Sequence, residues 1–205
     1  MKTTLNKIKE NSPCKDGWKK LLKYLNKTEA DDKKLKIKTI IKSNGVDDAV
    51  WCLRTVEGYE KEIKLFAIFC ARQVQHLMTD SRSIRALDVA EDYVNGKATR
   101  EELDAAADDA YDATADADDA YSAANAAYAA ATYDAYDAAI DATNAYVAAE
   151  SAYVANVAAN VAAADSYAAY YAATYDTDAA KELMRKIQTK ELMRICRLKK
   201  ENKRK

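Results

Sequence analysis

Glycine, proline and histidine are scarce in this sequence. The 205 residues include four glycines, one proline and one histidine. The few chain-breaking residues separate short helical segments in the first half of the chain. A single histidine, His76, leaves no second imidazole for a paired metal site, and no glycine-rich phosphate loop occurs. We therefore predict no catalytic residue, no metal site and no cofactor, and we expect a protein that is not an enzyme.

Long apolar segments and paired cysteines are also missing. The strongest apolar run, residues 65–71, is seven residues long, whereas a membrane helix needs roughly 20. The basic start of the sequence is not followed by an apolar stretch, so it does not resemble a secretory signal. The four cysteines form no CxxC pair and are expected to be reduced thiols. We expect a cytoplasmic protein that does not contact a membrane.

Charge is distributed in three blocks. Residues 101–180 contain 35 alanines, 11 tyrosines and 16 acidic residues, but no Lys, Arg, Gly or Pro. Residues 1–100 carry 21 basic against 14 acidic residues, and residues 181–205 carry 11 against 3. The net charge of −1 therefore conceals blocks of +7, −16 and +8. The composition shift near Gly96 predicts a helical head domain at 1–97 and an Ala/Asp/Tyr-rich helical arm with a basic C-terminal helix at 98–205.

The head is predicted to be all-α. Apolar residues recur at helical spacing in five segments. These segments are expected to begin near Asp16, Asp31, Asp47, Glu60 and Asp80. Ser43-Asn44-Gly45 should end the second segment, the fourth should run to about Met78, and Asn95-Gly96 should end the fifth. We find no convincing strand.

The arm begins with a capping box and continues with a period of seven. Thr99 can cap a helix while Glu102 reaches back to it. From Ala110, nine of ten positions at steps of seven are alanine, and seven of the ten positions three residues later are alanine. Such a heptad seam predicts a coiled coil or a helical bundle. Whether the arm is one rod or folds back, and whether it forms a homo-oligomer, stays open.

The acidic start of the arm is the candidate partner-binding site. Its members are Asp104, Asp108, Asp109, Asp112, Asp116, Asp118 and Asp119. Like charges four residues apart destabilise a helix by about 0.2–0.5 kcal/mol per pair. The chain either neutralises these charges with its own basic ends or presents them to a basic partner, and both alternatives stay open.

We expect no direct contact between this protein and nucleic acid. The acid would repel phosphate, so the arm tyrosines are expected to pack beside the alanine seam rather than to stack on bases. One charge per ~3 Å of helix is sparser than the one per ~1.7 Å of duplex DNA, which disfavours a uniform DNA mimic. The tail repeats a similar basic sequence at 181–189 and 190–198. That repeat is either tolerant helix or a two-sided basic helix that contacts a neighbour or a nucleic acid.

Residues 65–113 resemble a family of immunity-like helical proteins of bacterial and prophage genomes. The positions that carry the resemblance are Cys70-Ala71, Asp80, Arg82, Ala86-Leu87, Ala90, Tyr93, Gly96 and Glu102-Leu103. Members of that family intersperse Arg and Trp among the alanines, whereas this chain uses Asp and Tyr. The resemblance implies a toxin-neutralising or phage-encoded inhibitory role.

Two functional hypotheses follow. The first is a non-enzymatic immunity or anti-defence inhibitor that binds a basic protein, such as a toxin or a nucleic-acid enzyme, through the acidic helical surface. The alternative is a structural protein that assembles through alanine-seam coiled coils. An enzyme built around the head is a distant third.

Overall fold

The computed structural model describes residues 1–116, 130, 131, 139, 141, 144, 181–183 and 185–197, with the backbone alone at 114–116. Most of these residues are helical, which confirms the all-α class in its broad form. The greater part of the heptad seam lies outside the described residues. The coiled-coil arm therefore stays a prediction.

The chain divides into two compact units. Unit 1 comprises Met1–Ile63 and Thr189–Lys205, and unit 2 comprises Lys64–Gln188. Composition instead predicts a boundary near residue 97, because it registers the start of the alanine-rich sequence and not which segments pack together. Since most of the arm lies outside the described residues, that domain division stays a prediction.

Seven helices and two short strands make up the continuous described part of the chain, residues 1–116. In chain order they are β1 (Lys2–Thr3), α1 (Leu5–Glu10), α2 (Lys15–Tyr24), β2 (Leu35–Lys36), α3 (Ile37–Asn44), α4 (Val46–Trp51), α5 (Glu60–Gln73), α6 (Ser81–Val94) and α7 (Arg100–Asp116). Two 3-10 turns follow α4 and α5, at Cys52–Thr55 and Gln75–Leu77. Residues 181–183 and 185–197 are also helical.

The two strands correct the prediction that the head contains none. β1 and β2 pair antiparallel, with Lys2 opposite Lys36 and Thr3 opposite Leu35. Each strand is only two residues long, which is too short for an alternating pattern to be visible in the sequence. The pair also moves the start of α3 from the predicted position near Asp31 to Ile37.

Other helix boundaries differ by smaller amounts. Cys14, rather than Asp16, caps α2, and its sulfur accepts a hydrogen bond from the Gly17 amide at 3.3 Å. The helix α5 ends at Gln73 instead of continuing to Met78. The predicted stop at Asn95-Gly96 is confirmed, because α6 ends at Val94 and Gly96 has a φ of +73°. A positive φ is favourable for glycine since it lacks a Cβ.

Unit 1 has a branched aliphatic core. Its largest fully buried side chains come from α1, α3, the turn after α4, the start of α5 and the C-terminal helical segment 185–197. They are Leu5, Ile8, Ile37, Ile40, Leu53, Ile63, Leu192 and Ile195. The last two show that the C-terminal segment contributes to burial through an i, i+3 pair, which is one helical face.

Asn44 joins α2 to the turn between α3 and α4. Its side-chain amide donates to the Gly17 carbonyl oxygen at 2.8 Å and to Asp48 Oδ2 at 2.7 Å. Ser43 Oγ donates to Asn44 Oδ1 at 2.6 Å and so orients the amide. A Cβ on Gly17 would lie 2.6 Å from Asp48 Oδ2. The close approach of α2 to this turn therefore depends on glycine at position 17.

The substitution Gly17→Ala tests this contact. In a helix with room for the methyl group, replacing glycine by alanine stabilises the folded protein by about 1 kcal/mol. Here the new methyl group must displace the Asp48 carboxylate from Asn44, so we expect no gain, or a loss of up to about 1 kcal/mol, in the free energy of unfolding by urea. The control is Gly17→Ala in an Asp48→Ala background, where removal of the carboxylate should return part of the helix gain. Cys14 Sγ, 2.9 Å from the added Cβ, opposes the rest in both backgrounds. The same gain in both backgrounds would contradict the contact.

Candidate functional site

The helix α7 carries the predicted site, and its first turn is formed by the capping box. The Thr99 amide donates to Glu102 Oε2 at 2.7 Å, and the Glu102 amide donates to Thr99 Oγ1 at 3.2 Å. This reciprocal pair confirms the predicted helix start. Glu101 and Glu102 also lie in the first turn, where negative charge interacts favourably with the helix dipole.

One face of α7 is buried, and it is made almost entirely of alanine. The helix packs against α6. Its buried residues are Leu103, Ala106, Ala107, Ala110 and Ala113. On α6, the buried side chains include Ala86, Leu87 and Ala90. Small side chains on both helices allow close approach, and burial of one face turns the acidic face outward.

Four of the seven predicted aspartates have described side chains. Asp104, Asp108 and Asp112 are exposed, and Asp109 is half-exposed. Asp116 lies in α7, but only its backbone is described. Asp118 and Asp119 lie outside the described residues.

Two of these aspartates have basic neighbours within the chain. Arg100 Nε lies 3.5 Å from Asp104 Oδ2, and Arg85 Nη1 lies 3.5 Å from Asp109 Oδ2. Both pairs are largely exposed, so each contributes at most about 1 kcal/mol. Internal neutralisation is therefore real but partial. The two basic residues that take part are Arg85 of α6 and Arg100, the first residue of α7.

The other two aspartates are not neutralised in this way. Among the described residues, Asp108 and Asp112 form no ion pair. They are four residues apart and so project from neighbouring positions on the outer face. This part of α7 presents uncompensated negative charge to solvent.

Tyr111 is a member of this outer face that the sequence interpretation missed. It is 59% exposed, and it lies three residues after Asp108 and next to Asp112. More than half of this side chain is therefore exposed beside the alanine seam. The signal was present in the heptad, because Tyr111 directly follows seam position Ala110 and such a position points to solvent. We name Asp104, Asp108, Tyr111 and Asp112 the α7 outer face.

The orientation of α6 depends on ion pairs and a helix cap. Arg72 of α5 bonds Asp88 at 2.7 Å and Glu91 at 2.9 Å, both on α6, and Gln75 at 2.8 Å. Burial works against the charged guanidinium, but the bonds to Glu91 and Asp88 outweigh it and raise the pKa of Arg72. At the start of α6, Asp80 accepts from the Arg82 side chain and amide, and these bonds lower its pKa. Together these contacts hold α6, and with it Arg85, in place.

Histidine and the possible metal ligands do not form a second site in the described part of the chain. His76 is exposed in the turn Gln75–Leu77. No group of three or more His, Cys, Asp or Glu side chains among the described residues is arranged to hold a metal ion. None of the described helices is long and apolar enough to cross a membrane.

The four cysteines are free thiols in different environments. Cys14 is exposed, Cys196 is partly exposed, and Cys52 and Cys70 are buried. Burial, followed by the nearby Asp48 carboxylate, raises the pKa of Cys52 to about 12. Burial also raises the pKa of Cys196, although Lys38 counteracts part of the effect.

Comparison of the chain with models of protein families, with curated proteins and with solved structures finds no match. Function is therefore inferred from the α7 outer face and its surroundings.

Two single substitutions should separate the paired from the unpaired aspartates. Asp108→Asn removes like-charge repulsion with Asp104 and Asp112, so the free energy of unfolding should rise by about 0.4–1 kcal/mol at low salt. Asp109→Asn removes the pair with Arg85 and should leave stability unchanged or lower it by less than about 1 kcal/mol. Urea unfolding at low and high salt measures both effects. Loss of stability in Asp108→Asn would mean that Asp108 has a structural partner.

Thiol accessibility should follow burial. At pH 8, iodoacetamide should modify Cys14 first, since it is exposed and reaction proceeds through the thiolate. Cys52 should react only on unfolding, because it is buried and its pKa of about 12 leaves almost no thiolate. Peptide mass spectrometry of native and urea-unfolded protein gives the order of modification. Modification of Cys52 at the rate of Cys14 in the native protein would contradict the burial of the turn Cys52–Thr55.

Proposed function

We propose that this chain is a non-enzymatic helical interaction protein, an immunity or phage anti-defence inhibitor, that binds a basic protein through the α7 outer face. The observation that carries the proposal is the position of Tyr111, exposed between the uncompensated carboxylates of Asp108 and Asp112. A ring surrounded by charge of one sign is suited to a partner with the opposite charge.

The chemistry of this face matches that of protein interfaces. Tyrosine is enriched among the residues that contribute most binding energy, because it combines a large apolar surface with a polar hydroxyl and few rotatable bonds. Uncompensated carboxylates accelerate association with a basic surface by electrostatic steering. The tyrosine ring provides contact area, and the charge of the aspartates makes binding specific for a basic partner.

The proposed partner class is a nucleic-acid-handling protein. Such proteins neutralise phosphates with Lys and Arg, so they present basic surfaces of the kind that an acidic helix can cover. The resemblance of residues 65–113 to immunity-like proteins supports an inhibitory outcome. The proposed inhibitor blocks the partner by occupying its basic surface, and no chemical step is needed.

The alternative is a structural protein assembled through alanine seams. The described seam positions Ala110, Ala113 and Ala131 are fully buried within a single chain. A partner helix would have to displace what already covers them. These three positions therefore favour the inhibitor over assembly through this part of the seam.

Neutralising the α7 outer face should weaken partner binding. We expect the wild-type chain to retain one stoichiometric basic protein from a bacterial lysate. Asp108→Asn/Asp112→Asn should lower the association rate with that protein by about tenfold or more at low salt and reduce its salt dependence. Tyr111→Ala should instead raise the dissociation rate.

The control replaces two exposed acids of unit 1 in the same way, as Asp16→Asn/Asp32→Asn. This pair makes the same change in net charge and should bind like the wild type. An equal decrease of the association rate in both double variants would mean that the net charge of the chain, and not the α7 outer face, governs binding. Failure to retain any basic protein would refute the inhibitor hypothesis.

A further inference from the structure

The two units have strongly opposed charges. Unit 1 contains 23 Lys/Arg and 12 Asp/Glu, which gives +11, whereas unit 2 contains 9 and 21, which gives −12. The net charge of −1 for the whole chain conceals this separation. Unit 1 is thus a strongly basic body of 80 residues. The expectation that the protein does not contact nucleic acid is based on the acid of the arm and does not consider this unit.

The outer half of α2 concentrates that basic charge. Lys15, Lys19 and Lys23 follow each other at four-residue steps and are all exposed, and Lys20 is exposed beside them. Each step advances about 6 Å along the helix, so the three ammonium groups form one stripe. Asp16 is the one acidic residue of this helix.

These lysines lack the partners that other lysines of unit 1 have. Lys7 pairs with Glu57 and Lys27 pairs with Asp31. Among the described residues the four lysines of α2 form no ion pair, although Lys20 Nζ donates to the Asn44 carbonyl oxygen at 3.4 Å. Their charges are left available to an external anion.

The stripe is not explained by helix stability. Lysines at i, i+4 repel each other, and Lys15 occupies the first turn, where positive charge opposes the helix dipole. The dipole favours Lys23, which lies in the last turn, but it does not explain Lys15 or the repulsion along the row. The inward side of α2 is fixed by buried Leu21 and by the bonds of Asn44 to Gly17 and Asp48. The fold therefore holds an unfavourable row of charge rigidly toward solvent.

We infer that the outer face of α2 binds the phosphodiester backbone of a nucleic acid. Evenly spaced lysines act as point charges on successive phosphates, and phosphate contacts carry no sequence information. Tyr24, 51% exposed and one helical turn after Lys20, adds an aromatic ring of the type that stacks on bases. The inference does not depend on the proposed inhibitory function, because it concerns another helix and charge of the opposite sign.

The test uses the full chain and fluorescent DNA duplexes of about 30 base pairs with two unrelated sequences. If all four lysines contact phosphates, the slope of the logarithm of the association constant against the logarithm of the salt concentration is about −3.6. The affinity should then fall about 150-fold between about 50 and 200 mM salt. Both duplexes should bind equally. Lys15→Gln/Lys19→Gln/Lys23→Gln should reduce the magnitude of the slope by about 2.7 without loss of helix by circular dichroism.

The matched control is Lys9→Gln/Lys34→Gln/Lys61→Gln, three exposed lysines of unit 1 away from α2. It removes the same charge and should leave the slope nearly unchanged. An equal decrease of the salt slope in the two triple variants would overturn the proposal, because it would mean that DNA is attracted by the overall positive charge of unit 1 and not by α2. The proposal would also be overturned if the chain binds no duplex and instead self-associates in a salt-sensitive way that the α2 variant abolishes. The α2 lysines would then bind the acidic residues of a second copy.

Discussion

The packing of α6 against α7 depends on buried positions that are no larger than alanine. Ala86 and Ala90 on one helix, and Ala106, Ala110 and Ala113 on the other, lie at the spacings of one helical face. Alanine contributes little apolar area per residue, so close approach and dense packing must supply the stabilisation. The exposure of Asp104, Asp108 and Asp112 follows from this contact, because a helix that buries its small face exposes the opposite one.

Charge is the second organising feature, and it acts at two levels. Within unit 2, Arg85 and Arg100 each lie close to an aspartate, while Asp108 and Asp112 have no such neighbour. Across the chain, net charges of +11 and −12 are assigned to different units. Uncompensated charge on a rigid helix has an electrostatic cost, and in each unit the helix that bears that cost also exposes a tyrosine. The proposed surfaces are thus of the same kind with opposite sign.

The two proposals call for different macromolecules. The α7 outer face suits a basic protein, and the α2 face suits a phosphate backbone. A partner that itself handles nucleic acid would bring both chemistries together, although neither proposal needs the other. Lysine rather than arginine on α2 favours contacts without base recognition, since lysine lacks the planar fork that reads guanine bidentately.

Local sequence signals predicted much of the helical fold. The Thr99–Glu102 capping box, the Asn95-Gly96 stop and the start of α6 at Asp80 are confirmed because each depends on residues within one helical turn. The two-residue strands were missed, since residues 2–3 and 35–36 are far apart in sequence. The helix α1, with six residues, was too short to show a period.

The candidate site was predicted in outline. Its acidic residues were identified from the i+4 repeat, and their exposure on one side of α7 agrees with the buried alanine face. Which aspartates have partners was not predictable, because the Arg85–Asp109 pair joins residues 24 positions apart on two helices. Sequence alone determined helix type, charge blocks and the alanine periodicity, since these are properties of neighbouring residues. Only the tertiary structure decided that the C-terminal segment belongs to the basic unit, and which charges are compensated, because both depend on contacts between distant segments.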